Sequence, residues 1–141
     1  MPTFLLKTEP EEFSFDDLVR DKRAPWDGVS SNPALCQMRL VKKNDEALIY
    51  HTGKERSIVG LAKIICDPYE DPSRPGRNGD GKPKFPLFDI RPVKRAGTPL
   101  SLTEIKADKR FQDFALVKQS RLSVMQVPGD LDAIIRELAG L

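Results

Sequence analysis

Four short runs of this sequence collect residue types that can do chemistry. Lys7-Thr8-Glu9-Pro10 sets an ammonium, a hydroxyl and a carboxylate side by side after an apolar run. In an extended strand Lys7 and Glu9 share one face and Thr8 takes the other. A lysine withdrawn from water can serve as base or nucleophile; the plainer reading is a solvated strand end stopped by proline. Trp26-Asp27-Gly28-Val29 places the only tryptophan beside a turn-forming glycine. Most lone tryptophans pack in a core, and a minority offer a face to a ligand. Tyr50-His51 closes another apolar run, and strand neighbours point to opposite faces, so only one of them lines a given pocket. His51 is the only histidine, and a lone histidine is more often a hydrogen-bonding strut than a ligand. Lys118 and Arg121, with Ser120 and Ser123, can hold a phosphate or simply face solvent.

Other chemistry finds no support. Cys36 and Cys66 form no Cys-x-x-Cys pair, and one histidine cannot complete a zinc site, so no metal is expected and both thiols read as small buried apolar groups. No GxGxxG and no GxxxxGK[ST] run occurs, which argues against dinucleotide and nucleoside-triphosphate chemistry; no cofactor is expected. A net charge of +2, from 23 basic and 21 acidic residues, does not by itself call for a nucleic-acid partner. No apolar run approaches the ~18 residues of a membrane span, and nothing resembles a signal peptide. The expectation is a monomeric protein without a membrane partner, cytoplasmic, or nuclear if its source is eukaryotic. Its 141 residues suit one domain, residues 1–141.

The elements that must position these residues follow from local signals. Strands are predicted over Thr3–Lys7, Glu46–Thr52, Ser57–Cys66, Phe85–Val93 and Arg121–Val127. The second and third should form a hairpin around Gly53–Arg56, and Ala47–Tyr50 should be covered on both faces. Ser14 can cap a helix over Phe15–Asp21, and Asn32-Pro33 should open another over Ala34–Val41. Ser101-Leu102-Thr103-Glu104 is a capping box that starts a short helix towards Asp108. A last helix, Leu131–Ala139, should turn Leu131, Ile134, Ile135 and Leu138 inward. Ala24–Ser31 reads as irregular, and Asp67–Pro86, with five prolines and three glycines, as a long functional or mobile loop. The class is α+β: a small mixed, mostly antiparallel β-barrel of about five to six strands with short peripheral helices.

Taken in order, five blocks resemble the EVE domain, a PUA-like family related to the YTH readers of methylated RNA. They are Phe4–Glu11, Trp26–Val29 with Asn32 and Ala34 behind it, Tyr50-His51, Gly60–Ile64 and Arg121–Val124. The resemblance covers nearly the whole chain, although the family more often has Ser where Thr8 stands. It implies a PUA-like pseudo-barrel that takes one modified nucleobase, such as a modified cytosine, from DNA or RNA. On that implication Trp26 and Tyr50 are candidate stacking walls, and Thr8, Glu9 and Asn32 candidate readers of the base edge. Gly28, Val29 and His51 complete the base pocket. Lys7, Lys118, Arg121 and Lys84 would hold phosphate, aided by Arg74, Arg77 and Lys82. Two alternatives stand beside this reader: a small PUA-like amidohydrolase of acylated cytidine that uses Lys7, Thr8 and Glu9, and a small-molecule-binding or structural protein.

Overall fold

The computed structural model describes residues 2–141. Its first strand, β1 (Thr3–Thr8), lies inside the sheet with Phe4, Leu5 and Leu6 each 1% exposed or less. On one side it pairs in parallel with β3 (Glu46–His51), Thr3 opposite Glu46 and Thr8 opposite His51. On the other it pairs antiparallel with β7 (Val124–Val127). A parallel pair cannot be joined by a tight turn. The crossover between β1 and β3 therefore carries α1 (Phe15–Asp21), β2 (Ala24–Trp26) and α2 (Asn32–Met38).

From β3 the chain makes the expected hairpin into β4 (Ser57–Ile64), with Gly53 at φ +76° in the turn. β5 (Tyr69–Glu70) and the sixteen-residue β6 (Pro86–Ser101) follow. The order β2-β6-β4-β3-β1-β7, with β5 beside β6, gives one curled, mostly antiparallel sheet of seven strands. It is the expected α+β class, but as a half-barrel: β2 and β7 are the two edges and do not pair with each other, and α2 packs against both β6 and β7.

Strand alternation sends neighbouring side chains into two cores. Phe4, Leu6, Phe15, Trp26, Met38 and Phe88 fill the inside of the curl. Leu5, Leu48, Tyr50 and Leu61 pack on the other face, beneath α3 (Leu102–Ala107), α4 (Ala115–Lys118) and α5 (Gly129–Ala139). Among the described residues no helix is long and apolar enough to cross a membrane.

Local signals set the helix starts well and the strand ends less well. Ser14 and Ser101 both complete capping boxes, with Asp17 and Glu104. The cap of α2 is Ser31 rather than Asn32, and it makes no side-chain bond. Ala24–Trp26 is a strand, because Trp26 lies opposite Phe88 of β6 and shares its core. β6 extends past Val93 because register shifts against β4, at Ile58/Gly60 and Leu61/Ala62, let it bend. The last strand starts at Val124, not Arg121; residues 119–122 form a turn closed by the Leu122 amide on the Gln119 carbonyl. In α5 Leu131 and Ile135 are buried, whereas Leu138 is 43% exposed and lies off the expected face. Neither thiol is fully buried: Cys36 is exposed on α2 and Cys66 is half-buried beyond β4. The long Asp67–Pro86 segment contains β5, which pairs with Leu87 and Pro86.

Gly60 shows why one block of the sequence is glycine. A Cβ added there would stand 2.6 Å from Cδ1 of Phe15, whose ring is locked in the inner core. Gly60→Ala should therefore overpack the α1–β4 contact and cost about 1–3 kcal/mol in urea denaturation. An unchanged midpoint would show that the Phe15 ring has room to move.

Candidate nucleic-acid interface

At one end of the half-barrel a cleft of about 790 Å³ opens between the exit of β1, the segment after β2 and the turn before β7. Seven of the expected site residues line it: Lys7, Thr8, Glu9, Trp26, Gly28, Val29 and Arg121. Lys7 is fixed at both ends. Its amide donates to the Ser123 carbonyl (2.9 Å) and its Nζ to the Ser120 carbonyl (3.0 Å). Burial lowers its pKa from the usual lysine value. Thr8 Oγ1 donates to the Phe13 carbonyl at 2.6 Å, so this hydroxyl is already engaged. Glu9 is exposed, and its carbonyl accepts from the amides of Glu12 and Phe13, which turns the chain towards α1.

Trp26 is 7% exposed and meets the Phe13 ring edge-on, with centroids 6.5 Å apart. It is a floor rather than a free-standing wall. Removing it would open a core cavity at a cost of ~3–5 kcal/mol, so Trp26→Ala cannot be a purely local change. Gly28, at φ +76° with open space at its Cβ position, starts an irregular strip. Among the described residues, the amides of residues 28–31 donate to no protein acceptor.

The strip is held from behind by the long loop. Arg74 Nη1 donates to the Val29 carbonyl (3.1 Å) and to Ser30 Oγ (3.3 Å). Its Nε donates to Asp71 Oδ2 (3.1 Å), and its guanidinium lies 4.3 Å from the Phe85 ring centroid. Asp71 is buried, and hydrogen bonds from Ser73, with Arg74 beside it, hold its pKa below the usual carboxylate value. Arg74 thus positions the cleft's lip, and Arg77 is paired with Glu70.

The cleft is not strongly cationic. Glu9, Glu12, Asp21 and Asp27 all line it. Arg23 also reaches it, but binds Asp89 at 2.6 Å, which in turn accepts from the Tyr69 hydroxyl at 2.6 Å. Burial pushes the Asp89 pKa up, and the bonds from Tyr69 and Arg23 outweigh it and bring it down; burial and Asp89 raise that of Tyr69. Lys7 and the exposed Arg121 remain as cations without a carboxylate partner among the described residues.

Five expected residues lie outside the lining. Asn32 is exposed on the first turn of α2. Tyr50 belongs to the other core, with Lys7 Nζ 5.8 Å from its ring centroid, and burial raises its pKa. His51 is buried: Nε2 accepts from the Phe15 amide (3.0 Å) and Nδ1 lies 3.0 Å from Glu55 Oε2. That pattern puts the proton on Nδ1 and makes His51 a strut under α1. Lys118 pairs with Asp113 and lines a neighbouring cleft. Lys84 is exposed, with its carbonyl taken by Arg39. Sequence reasoning had no signal for the small polar lining residues Ser30, Ser31 and Thr52, which acquire a role only through the crossover.

The EVE domain family model matches residues 3–138. Thymocyte nuclear protein 1 of Rattus norvegicus is 32% identical over 123 residues, covering 73% of this chain and 54% of the rat protein. The chain thus spans about half the length of that relative. The Danio rerio protein is 30% identical, over 90% of this chain and 67% of its own. Among solved structures, a protein from Rhodopseudomonas palustris superposes with a TM-score of 0.88 at 34% identity, covering 99% of this chain and 94% of that one. Human THYN1 protein in complex with 5-methylcytosine containing DNA superposes at 0.84 and 26% identity, covering 96% of each chain. An ASCH protein from Zymomonas mobilis, at 0.58 and 11%, shares the fold alone; it covers 96% and 94%.

The Arg74 clamp makes a specific demand on mobility. Arg74→Ala should speed hydrogen exchange at the bonded amides of Asp71, Ser73 and Arg74 by roughly tenfold, and should lower the NMR order parameters of residues 27–31, whose carbonyl and hydroxyl it holds. Acid should act in the same direction. Asp71 has a depressed pKa, so its contribution is complete above the ordinary carboxylate value and is lost as pH falls through the lowered one. Exchange in the variant equal to wild type would remove Arg74 from the lip.

Proposed function

The chain belongs to the EVE domain family, and from that premise we propose that it is a single-domain nucleic-acid-binding module that holds one modified cytosine in the cleft between the ends of β1 and β2. The observation that carries this reading is the make-up of that cleft. An aromatic floor, a strip of uncommitted backbone amides and two cations without carboxylate partners meet in one place. A relative of the same fold, human THYN1, is seen with 5-methylcytosine containing DNA.

The chemistry of an extruded base fits those groups. It needs an apolar surface, polar partners along its Watson–Crick edge and cationic contacts for its phosphates. Trp26 and Phe13 supply the first. For the second, a carboxylate such as Glu9 or Asp27 can accept from the cytosine N4 amino group, and the amides of 28–31 can donate to O2 and N3. Lys7 and Arg121 supply the third, Lys7 from a turn it already braces. The groups that this reading needs meet in a single cleft, and a monomeric module is part of the proposal.

This is binding without turnover. The Thr8 hydroxyl donates to the Phe13 carbonyl and Lys7 to the Ser120 carbonyl, which supports structural rather than nucleophilic roles for that run.

Burying one methyl group gains about 0.8 kcal/mol, or roughly fourfold in affinity. The purified chain should therefore bind a short oligonucleotide with one 5-methylcytosine tighter than its unmodified twin, by up to about fourfold from the methyl alone, and return it chemically unchanged. Arg121→Ala should weaken both equally and lower the salt slope by about one. Equal binding of the two oligonucleotides, or deamination or deacylation of a cytidine ligand, would contradict the proposal.

A further inference from the structure

The cleft does not end at Arg121. Ser31, Ser120 and Arg121 also line a second cleft, of about 340 Å³. Its other walls are Pro33 at the start of α2 and Lys118, Gln119 and Leu122 at the end of α4 and the turn beyond. That volume lies within the ~300–1,000 Å³ of small-ligand sites. Pro33 and Leu122 offer apolar surface to a ring or sugar, and the Gln119 amide can both donate and accept along a base edge. Lys118 adds a charge. Its ion partner, Asp113 at 3.0 Å, is 80% exposed, and such surface pairs exchange at little cost. The ridge between the clefts is braced, since Lys7 bonds to the carbonyls of both Ser120 and Ser123.

We infer that this second cleft takes the nucleotide adjacent to the modified base, with the connecting phosphodiester against Ser120 and Arg121; the inference rests on the base-cleft reading. Arg121 is the one cation that lines both clefts, and the phosphate of a dinucleotide spanning them must pass there. A third cleft continues past Pro33, Gln119 and Leu122, but no charged residue lines it. A further phosphate finds no cation in it, so the footprint stops at two nucleotides. Because the second cleft lies on one side of the first, it also imposes a strand polarity.

The test is calorimetric titration of the full chain, at one salt concentration, with four probes. These are 5-methyl-2′-deoxycytidine, the two dinucleotides with thymidine on its 5′ or its 3′ side, and the trinucleotide extended from the better of those. One dinucleotide should bind at least about fivefold tighter than the nucleoside, the other clearly less so, and the trinucleotide should add less than about twofold. In the double variant Lys118→Ala/Gln119→Ala, the difference between the two dinucleotides should collapse, leaving only the gain that the phosphate makes on Arg121. A gain that is equal for both polarities, or a polarity preference that survives the double variant, would overturn the second cleft. Nucleoside and dinucleotides binding alike would overturn it too and leave the base cleft standing. If the nucleoside and every dinucleotide fail to bind, the base cleft falls and this inference with it.

Discussion

The parallel pairing of β1 with β3 is the constraint on which the rest of the molecule depends. Two parallel neighbours must be joined over the end of the sheet, and here residues 9–45 make that journey. The crossover begins beside the strand end that carries Lys7 and Thr8, and returns past it as the segment after Trp26. The cleft is the space left between those two passages. The same pairing places His51 opposite Thr8, and the buried imidazole then receives the amide of Phe15, the first residue of α1. The strand end therefore anchors the first helix of its own crossover.

The half-barrel's open seam is the second consequence. With β2 and β7 as edges, α2 must cover the gap, and it does so with Ala34, Leu35 and Met38 in the inner core. Where α2 begins, the seam stays open and the irregular 27–31 strip forms the rim, tied back by Arg74. A binding strip made of unpartnered amides is costly to leave loose, because ordering it on binding would consume affinity. Arg74, Asp71 and Phe85 set that order in advance. The long loop is thus a brace through Arg74 and Arg77, both paired with carboxylates, while Lys82 and Lys84 stay exposed outside the cleft lining.

How much of this was legible in the sequence follows from the range of the interactions. Ser14–Asp17 and Ser101–Glu104 are contacts within one turn, and both were readable as helix starts. The β3–β4 hairpin was readable too, from two apolar runs flanking Gly53. Trp26 as a strand residue was not, since Ala24-Pro25-Trp26 is strand only because Phe88 lies opposite. For His51 the strut role was readable from its standing alone, but its partner amide, 36 residues away, was not. Lys7, Thr8, Glu9, Trp26, Gly28, Val29 and Arg121 meet at the cleft because each flanks a strand end on the same rim. Tyr50 and His51 flank a strand end as well, but Tyr50 packs in the other core and His51 is spent beneath α1. Strand alternation foretells that they part, and only the full topology shows that neither faces the cleft.

The most direct test of the central claim is to map the contact of ligand with backbone. In an amide-resolved NMR titration with a short oligonucleotide containing 5-methylcytosine, the largest shifts should fall at residues 27–31 and 120–123, with Lys7 and Thr8 next. Little should change on α5 or along the β3–β4 hairpin. Shifts centred instead on α5, on α3 or on the exposed edge of β6 would place the nucleic acid elsewhere on the molecule and contradict the account.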